Sequence, residues 1–180
     1  TGYTVIGQIP NISVKARRSV LKYLTQKPNS AAAEAVRNLR TSILLANLDT
    51  PPKVIMSTSS VPGEGKTTQS IALAQNFAGL GAKVLLIEGD IRRRVLSEYF
   101  SHDHPSGFLS VMSGDISLAD AIVHDEGLNA DILYGEKSRV NAADLFSSRT
   151  FGDFINELRN HYDHIIIDSP PVLAVPDAHV

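Results

Sequence analysis

The chain has 180 residues, 43% of them hydrophobic, with a formal net charge of −2 and neither cysteine nor tryptophan. That length supports one globular domain with a substantial core, and the absence of cysteine excludes a disulfide framework. No apolar run approaches the roughly 18 residues a membrane span needs, no signal-peptide pattern opens the sequence, and the charge gives no overall bias toward nucleic acid.

Charge is unevenly placed. Lys15, Arg17, Arg18, Lys22 and Lys27 all precede the first acidic residue, Glu34, leaving 12 basic against 19 acidic residues after it. Residues 1–33 therefore read as a basic arm. Either it is a solvated segment, or it is a juxtamembrane stretch near anionic lipid, where each basic residue contributes about 1 kcal/mol. Within it, Val5-Ile6-Gly7-Gln8-Ile9-Pro10 has strand propensity that ends at the proline, and Lys27-Pro28-Asn29-Ser30 is turn chemistry.

Residues 34–180 read as the folded domain. A helix is expected over Ala31–Leu48 with Ser30 as its N-cap, and Leu39, Ile43 and Leu44 toward a core. Glu34, Arg37 and Arg40, spaced by three, form one slanted stripe on it. As an intrahelical pair on a wet face, Glu and Arg at this spacing contribute a few tenths of a kcal/mol.

Pro51-Pro52 breaks the chain, and Val54-Ile55-Met56 is a short strand. Ser60 to Thr68, Ser-Val-Pro-Gly-Glu-Gly-Lys-Thr-Thr, follows and opens a helix over Gln69–Gly79. Strand, glycine-bearing loop, Gly-Lys-Thr and helix is the phosphate-binding loop arrangement. Crowded β- and γ-phosphates need several backbone N–H groups aimed at them, and Gly63 and Gly65 let the chain curl that tightly. Lys66 reaches the phosphate oxygens and Thr67 ligates Mg²⁺ in such a loop. The full pattern places a glycine where Ser60 stands.

Val84–Ile87 is an unbroken apolar run, as in a parallel strand buried on both faces. It ends in Glu88-Gly89-Asp90, in the crevice where open α/β sheets bind ligands. Arg92–Arg94 could clamp phosphate or begin a solvated helix. Short helices are expected over Gly107–Met112 and from Ser117, a third strand over Asp131–Gly135, and a helix over Ser147–Tyr162. Ile165-Ile166-Ile167-Asp168 is another apolar strand ending in an aspartate suited to holding Mg²⁺. His102 and His104, and His161 and His164, have near-metal spacing but no clustered ligands, and read as loop and helix-end histidines. Alternating strands and helices give a three-layer α/β fold with a mostly parallel sheet. Such a sheet usually continues after this aspartate, so a fragment is expected.

Together these residues resemble the bacterial tyrosine kinases (BY-kinases) of exopolysaccharide and capsule assembly. Ser60–Thr68, Leu85–Arg92 and Ile165–Asp168 stand as that family's Walker A, A′ and B motifs, and Glu34-x-x-Arg37-x-x-Arg40 as its upstream helix motif. Similarity continues through residues 113–118 and 167–173. The resemblance implies tyrosine autophosphorylation with ATP and Mg²⁺. It implies catalytic roles for Lys66, Glu88, Asp90 and Asp168, and metal placement by Thr67, Asp90 and Asp168. Nucleotide contacts would come from Pro62, Gly63, Glu64, Gly65, Lys66, Thr67, Thr68 and Arg92. Glu34, Arg37 and Arg40 would be an interface in a ring of copies, each offering a tyrosine tail to its neighbour. A membrane-spanning chain-length regulator half, fused or separate, would be a partner, placing the protein at the cytoplasmic face of the bacterial inner membrane.

Three departures stand out. Glu88 replaces the usual aspartate, and its extra methylene would move the base or the metal by about 1 Å. Arg94 stands where proline is usual. The tyrosines Tyr3, Tyr23, Tyr99, Tyr134 and Tyr162 are scattered rather than gathered in a tail. The alternatives are an ATP-binding scaffold of polysaccharide export that transfers nothing, and a partitioning or division-site ATPase. The latter carries an extra lysine at the position of Val61 and lacks the Glu34–Arg40 stripe.

Overall fold

The computed structural model of the protein describes residues 2–12, 14–103 and 106–171. Its sheet contains β1 (Val54–Ser57), β2 (Val84–Glu88), β3 (Val123–Asp125), β4 (Ala130–Leu133) and β5 (His164–Asp168), in the order β1-β5-β2-β4-β3. β1, β5, β2 and β4 run parallel, and β3 closes one edge antiparallel to β4. Register sets Ser57 beside Asp168, and Asp168 beside Glu88, so three strands end together.

The period of two along β2 and β5 builds two cores. Leu86 and Ile166 point to one face and meet Ile71, Ala74 and Phe77 of α3 (Lys66–Ala78). Leu85, Ile87, Ile165 and Ile167 point to the other and meet Phe151, Phe154, Ile155 and Leu158. Those four belong to α7 (Arg149–Leu158), which shares its layer with α4 (Phe108–Ser113), α5 (Leu118–Ala121) and α6 (Ala142–Ser147). Each buried aliphatic or aromatic side chain stabilises the fold by about 1.5–3 kcal/mol, so a strand apolar on both faces demands helices on both.

α1 (Val20–Gln26) and α2 (Ala31–Leu45) extend the α3 layer. Val20 and Leu24 are buried against Ala33 and Val36 of α2 and Ala72 of α3, and Ile9, Ile12 and Val14 of the arm pack onto the same cluster. The basic arm thus lies on the domain over this stretch. Among the described residues no helix is long and apolar enough to cross a membrane.

Several boundaries differ from the sequence expectation. The helix expected over Ser147–Tyr162 is α7, shorter at both ends, and a separate helix, α6, runs up to it. Ser148 takes an extended backbone (φ −70°, ψ 145°), and its hydroxyl accepts from Phe151 N–H, capping α7. The Asp125 carboxylate accepts from Leu128 N–H at 2.7 Å and Asn129 turns at φ 54°, making the β3–β4 hairpin that period-two reasoning missed. Residues 5–10 belong to no strand. Ser30 and Ser117 do cap α2 and α5.

His102 and His164 have local partners. His102 sits between Tyr134 OH (2.9 Å) and Asp125 (3.0 Å), and the His164 ring stacks on Phe77 with centroids 4.0 Å apart. His104 lies outside the described residues. Among those described, no group of three or more histidine, aspartate or glutamate side chains could hold a metal on its own.

Candidate active site

The crevice forms where β1, β5 and β2 end over the N-terminus of α3. Gly63 and Gly65 stand at φ 89° and 88°, a region a side chain disfavours, and let the loop fold back onto the helix. Ser60 is not among the residues with positive φ, so the backbone places no demand for glycine there. The Glu64 carboxylate accepts from Ser60 N–H (2.7 Å) and Val61 N–H (3.2 Å), holding the loop's first turn.

Thr67 donates its hydroxyl to Asp168 Oδ2 at 2.7 Å. Lys66 Nζ reaches Asp168 Oδ1 at 3.2 Å and Asp90 Oδ2 at 3.4 Å. All three charged side chains are at most 10% exposed. Burial raises the Asp168 carboxyl above its ordinary range, opposed by the Lys66 charge and the Thr67 hydrogen bond. One cation between two buried carboxylates leaves a local excess of negative charge, with oxygen donors only. That donor set suits Mg²⁺, which takes one or two carboxylates together with phosphate oxygens and water.

Asp90 is fixed from both sides. Its Oδ1 accepts from Arg93 N–H, and the N–H groups of Gly89 and Asp90 both bind the Asp168 carbonyl. Gly89 is closely surrounded here: a Cβ would lie 3.1 Å from that carbonyl, from Ile167 and from the Phe146 ring, so a side chain would push these neighbours by a few tenths of an ångström.

The sequence groups Glu88 with Asp90 as acids of one motif; the structure gives them different surroundings. Glu88 is buried, with Oε1 accepting from Leu96 N–H (2.8 Å) and Oε2 from Gly135 N–H (3.0 Å). Burial pushes its carboxyl up to about 7, against those two hydrogen bonds. The extra methylene lets it span from the loop after β2 to the end of β4.

Residues 62–69, Asp90, Arg93 and Tyr99 enclose a cavity of about 570 Å³ with residues 9–12, Val14, Lys15 and Arg17 of the arm. Pro62 through Thr68 all line it, whereas Arg92 lies outside its walls. Tyr99 carries no motif, yet its hydroxyl shares a 2.7 Å hydrogen bond with Thr68 Oγ1. Arg17 stands over the Tyr99 ring at 5.8 Å and pairs with Glu98 at 2.6 Å. The basic run before Glu34 is the one sequence signal that touches this arrangement.

On α2, Glu34 is exposed, Arg37 donates to the Pro28 carbonyl at 2.6 Å, and Arg40 donates to Asn76 of α3 at 2.5 Å. Arg40 Nε is buried with no partner.

A phosphate loop feeding a helix, with a lysine and a threonine meeting an aspartate from a neighbouring parallel strand, defines a P-loop nucleotide-binding protein. A family model described as an AAA domain matches residues 48–178. The tyrosine-protein kinase YwqD of Bacillus subtilis (strain 168) is 36% identical over 86% of this chain and 65% of its own. The kinase domain of the Escherichia coli tyrosine kinase ETK superposes with a TM-score of 0.82 at 30% identity, over 98% of this chain and 73% of that one. The chimerical protein CapA2B2 superposes with a TM-score of 0.84 at 31% identity, over 98% and 75%. The chain belongs to the bacterial tyrosine kinase family. It spans 65% of YwqD and about a fifth of longer relatives such as the Acinetobacter johnsonii kinase ptk.

Proposed function

We propose that this domain transfers the γ-phosphoryl group of ATP to tyrosine on copies of its own chain, regulating exopolysaccharide or capsule polymerisation and export. The observation that carries this is the buried group of Lys66, Thr67, Asp90 and Asp168 beneath the phosphate loop. Thr67, Asp90 and Asp168 would hold Mg²⁺, which neutralises charge on the β- and γ-phosphate oxygens. The loop N–H groups and the α3 N-terminus orient the phosphates, and Lys66 turns from its carboxylates to the charge that develops on the leaving oxygen.

The acceptor phenol forms a new O–P bond as the bond from the γ-phosphorus to ADP breaks, and its proton passes to a carboxylate. Asp90 is the better placed base, because it borders the cavity and Glu88 does not, and its Oδ2 is released when Lys66 turns to the phosphates. Of Glu34, Arg37 and Arg40, the exposed Glu34 supplies the contact between copies in a ring, while Arg40 is engaged with Asn76 of its own chain. The basic arm lies toward a membrane-spanning regulator half at the cytoplasmic face.

Phosphotyrosine mass spectrometry tests the reading. The protein is incubated with ATP and Mg²⁺, with and without a tyrosine peptide, beside a Lys66→Ala variant. Phosphotyrosine in the parent and at least 100-fold less in the variant is expected, since removal of one charge-stabilising group costs about that much. ATP turnover that survives unchanged in Lys66→Ala would overturn it.

A further inference from the structure

We infer that the cavity between the arm and the phosphate loop is the entry channel for the acceptor, and that it selects a tyrosine flanked by acidic residues. The inference rests on the tyrosine kinase reading and adds the chemistry of the substrate.

The cavity is lined by two kinds of residue. Residues 62–69 and Asp90 are polar or backbone-rich and suit phosphate. Ile12 and Val14 of the arm, with Val20, Val36 and Val95, are apolar. A nucleotide's phosphates use the loop amides and Lys66. The apolar lining suits the ring of a phenol, whose hydroxyl must come within about 2.6–3.2 Å of its base. Asp90 borders the same cavity.

The rim adds charge. Lys15, Arg17 and Arg93 all line the cavity and all are exposed. Arg17 is committed to Glu98. Among the described residues, the side chains of Lys15 and Arg93 carry no ion pair. The acidic members of the same walls are both engaged: Glu64 holds the loop's first turn, and Asp90 holds Lys66 and Arg93 N–H. Two uncommitted cations therefore line the same cavity as the apolar residues and the base. An extended peptide with Asp or Glu on either side of its tyrosine satisfies both, whereas a lysine-flanked one meets like charge.

The test uses two synthetic peptides, each with a single tyrosine, one flanked by Asp and Glu and the other by Lys. Peptide binding is read by fluorescence anisotropy with ADP present, phosphorylation by KM and kcat, and nucleotide affinity with a fluorescent ADP analogue. The parent is expected to bind the acidic peptide about tenfold tighter, an advantage that shrinks with salt. Lys15→Glu combined with Arg93→Glu should raise KM for the acidic peptide about tenfold and reverse the preference, the loss falling on KM rather than kcat, with ADP affinity kept.

Equal binding of both peptides by the parent overturns the channel, and this comparison stands even if the double variant fails to fold. A variant that loses ADP affinity in step with peptide affinity also overturns it, because the two cations then serve the nucleotide's phosphates. Tight, selective binding of the acidic peptide without phosphorylation would retain the channel and sink the kinase reading. Phosphorylation of both peptides alike would do the reverse.

Discussion

At position 88 a glutamate reaches one methylene further than the aspartate usual in this family, and both its oxygens are taken up by amides from residues 96 and 135. An aspartate is too short to keep both. Loss of one hydrogen bond to a buried carboxylate costs about 1.5–3 kcal/mol. Glu88→Asp should therefore lower the urea midpoint by that equivalent; a midpoint equal to the parent's would refute the anchoring role. Its partners lie 8 and 47 residues away, so the motif alone reads as an altered base. Arg94 is comparable. It stands at φ 47°, which proline, locked near −65°, cannot adopt. Arg94→Gly should stabilise by about 1 kcal/mol by removing a left-handed side-chain clash, and Arg94→Pro should destabilise. Calorimetry of the two variants decides, and a more stable proline variant would sink the argument. The φ of a single residue leaves no mark in composition, whereas Lys66, Thr67 and Asp168 are legible because their chemistry fixes them at strand and helix ends.

The α2 helix joins what was legible to what was not. Its cap at Ser30 and its apolar face follow from local rules, and both appear in the structure. The stripe of Glu34, Arg37 and Arg40 does not behave as one face, because Arg40 turns to Asn76 on α3 while Glu34 stays in water. Spacing by three sets a direction on the helix but says nothing of which neighbour lies there. The residues are thus separable by experiment. Arg40→Ala should cost about 1 kcal/mol through the lost helix–helix hydrogen bond. Glu34→Ala, exposed and without an ion pair among the described residues, should leave stability within about 0.5 kcal/mol and weaken self-association. Urea titration and light scattering read the two effects; an unchanged mass for Glu34→Ala would return that residue to a solvated face.

Across the whole molecule, alternation of apolar strands and helices made the layers legible, but strand order was not. Insertion of β5 between β1 and β2 is a long-range pairing, and that pairing brings Asp168 to Lys66 and Thr67. It also brings His164 at the start of β5 against Phe77. Burial pushes the His164 imidazole below its ordinary 6.5, outweighing its hydrogen bond to the Pro52 carbonyl. Between that lowered value and 6.5, the unfolded chain binds more protons than the folded one. The stability this histidine contributes is complete above 6.5 and is lost as pH falls through the folded value. Glu88 and Asp168 have the opposite sign: burial raises both, so their charged forms weaken the fold as pH rises, for Glu88 through about 7. A raw stability curve mixes these slopes, so the measurement is a difference. His164→Phe keeps a ring on Phe77 and removes the titration, and its cost relative to the parent should shrink as urea unfolding is moved from about pH 7.5 to about pH 5. A cost that stays constant across that range would mean the imidazole titrates alike in both states, and that burial on the Phe77 face does not govern it.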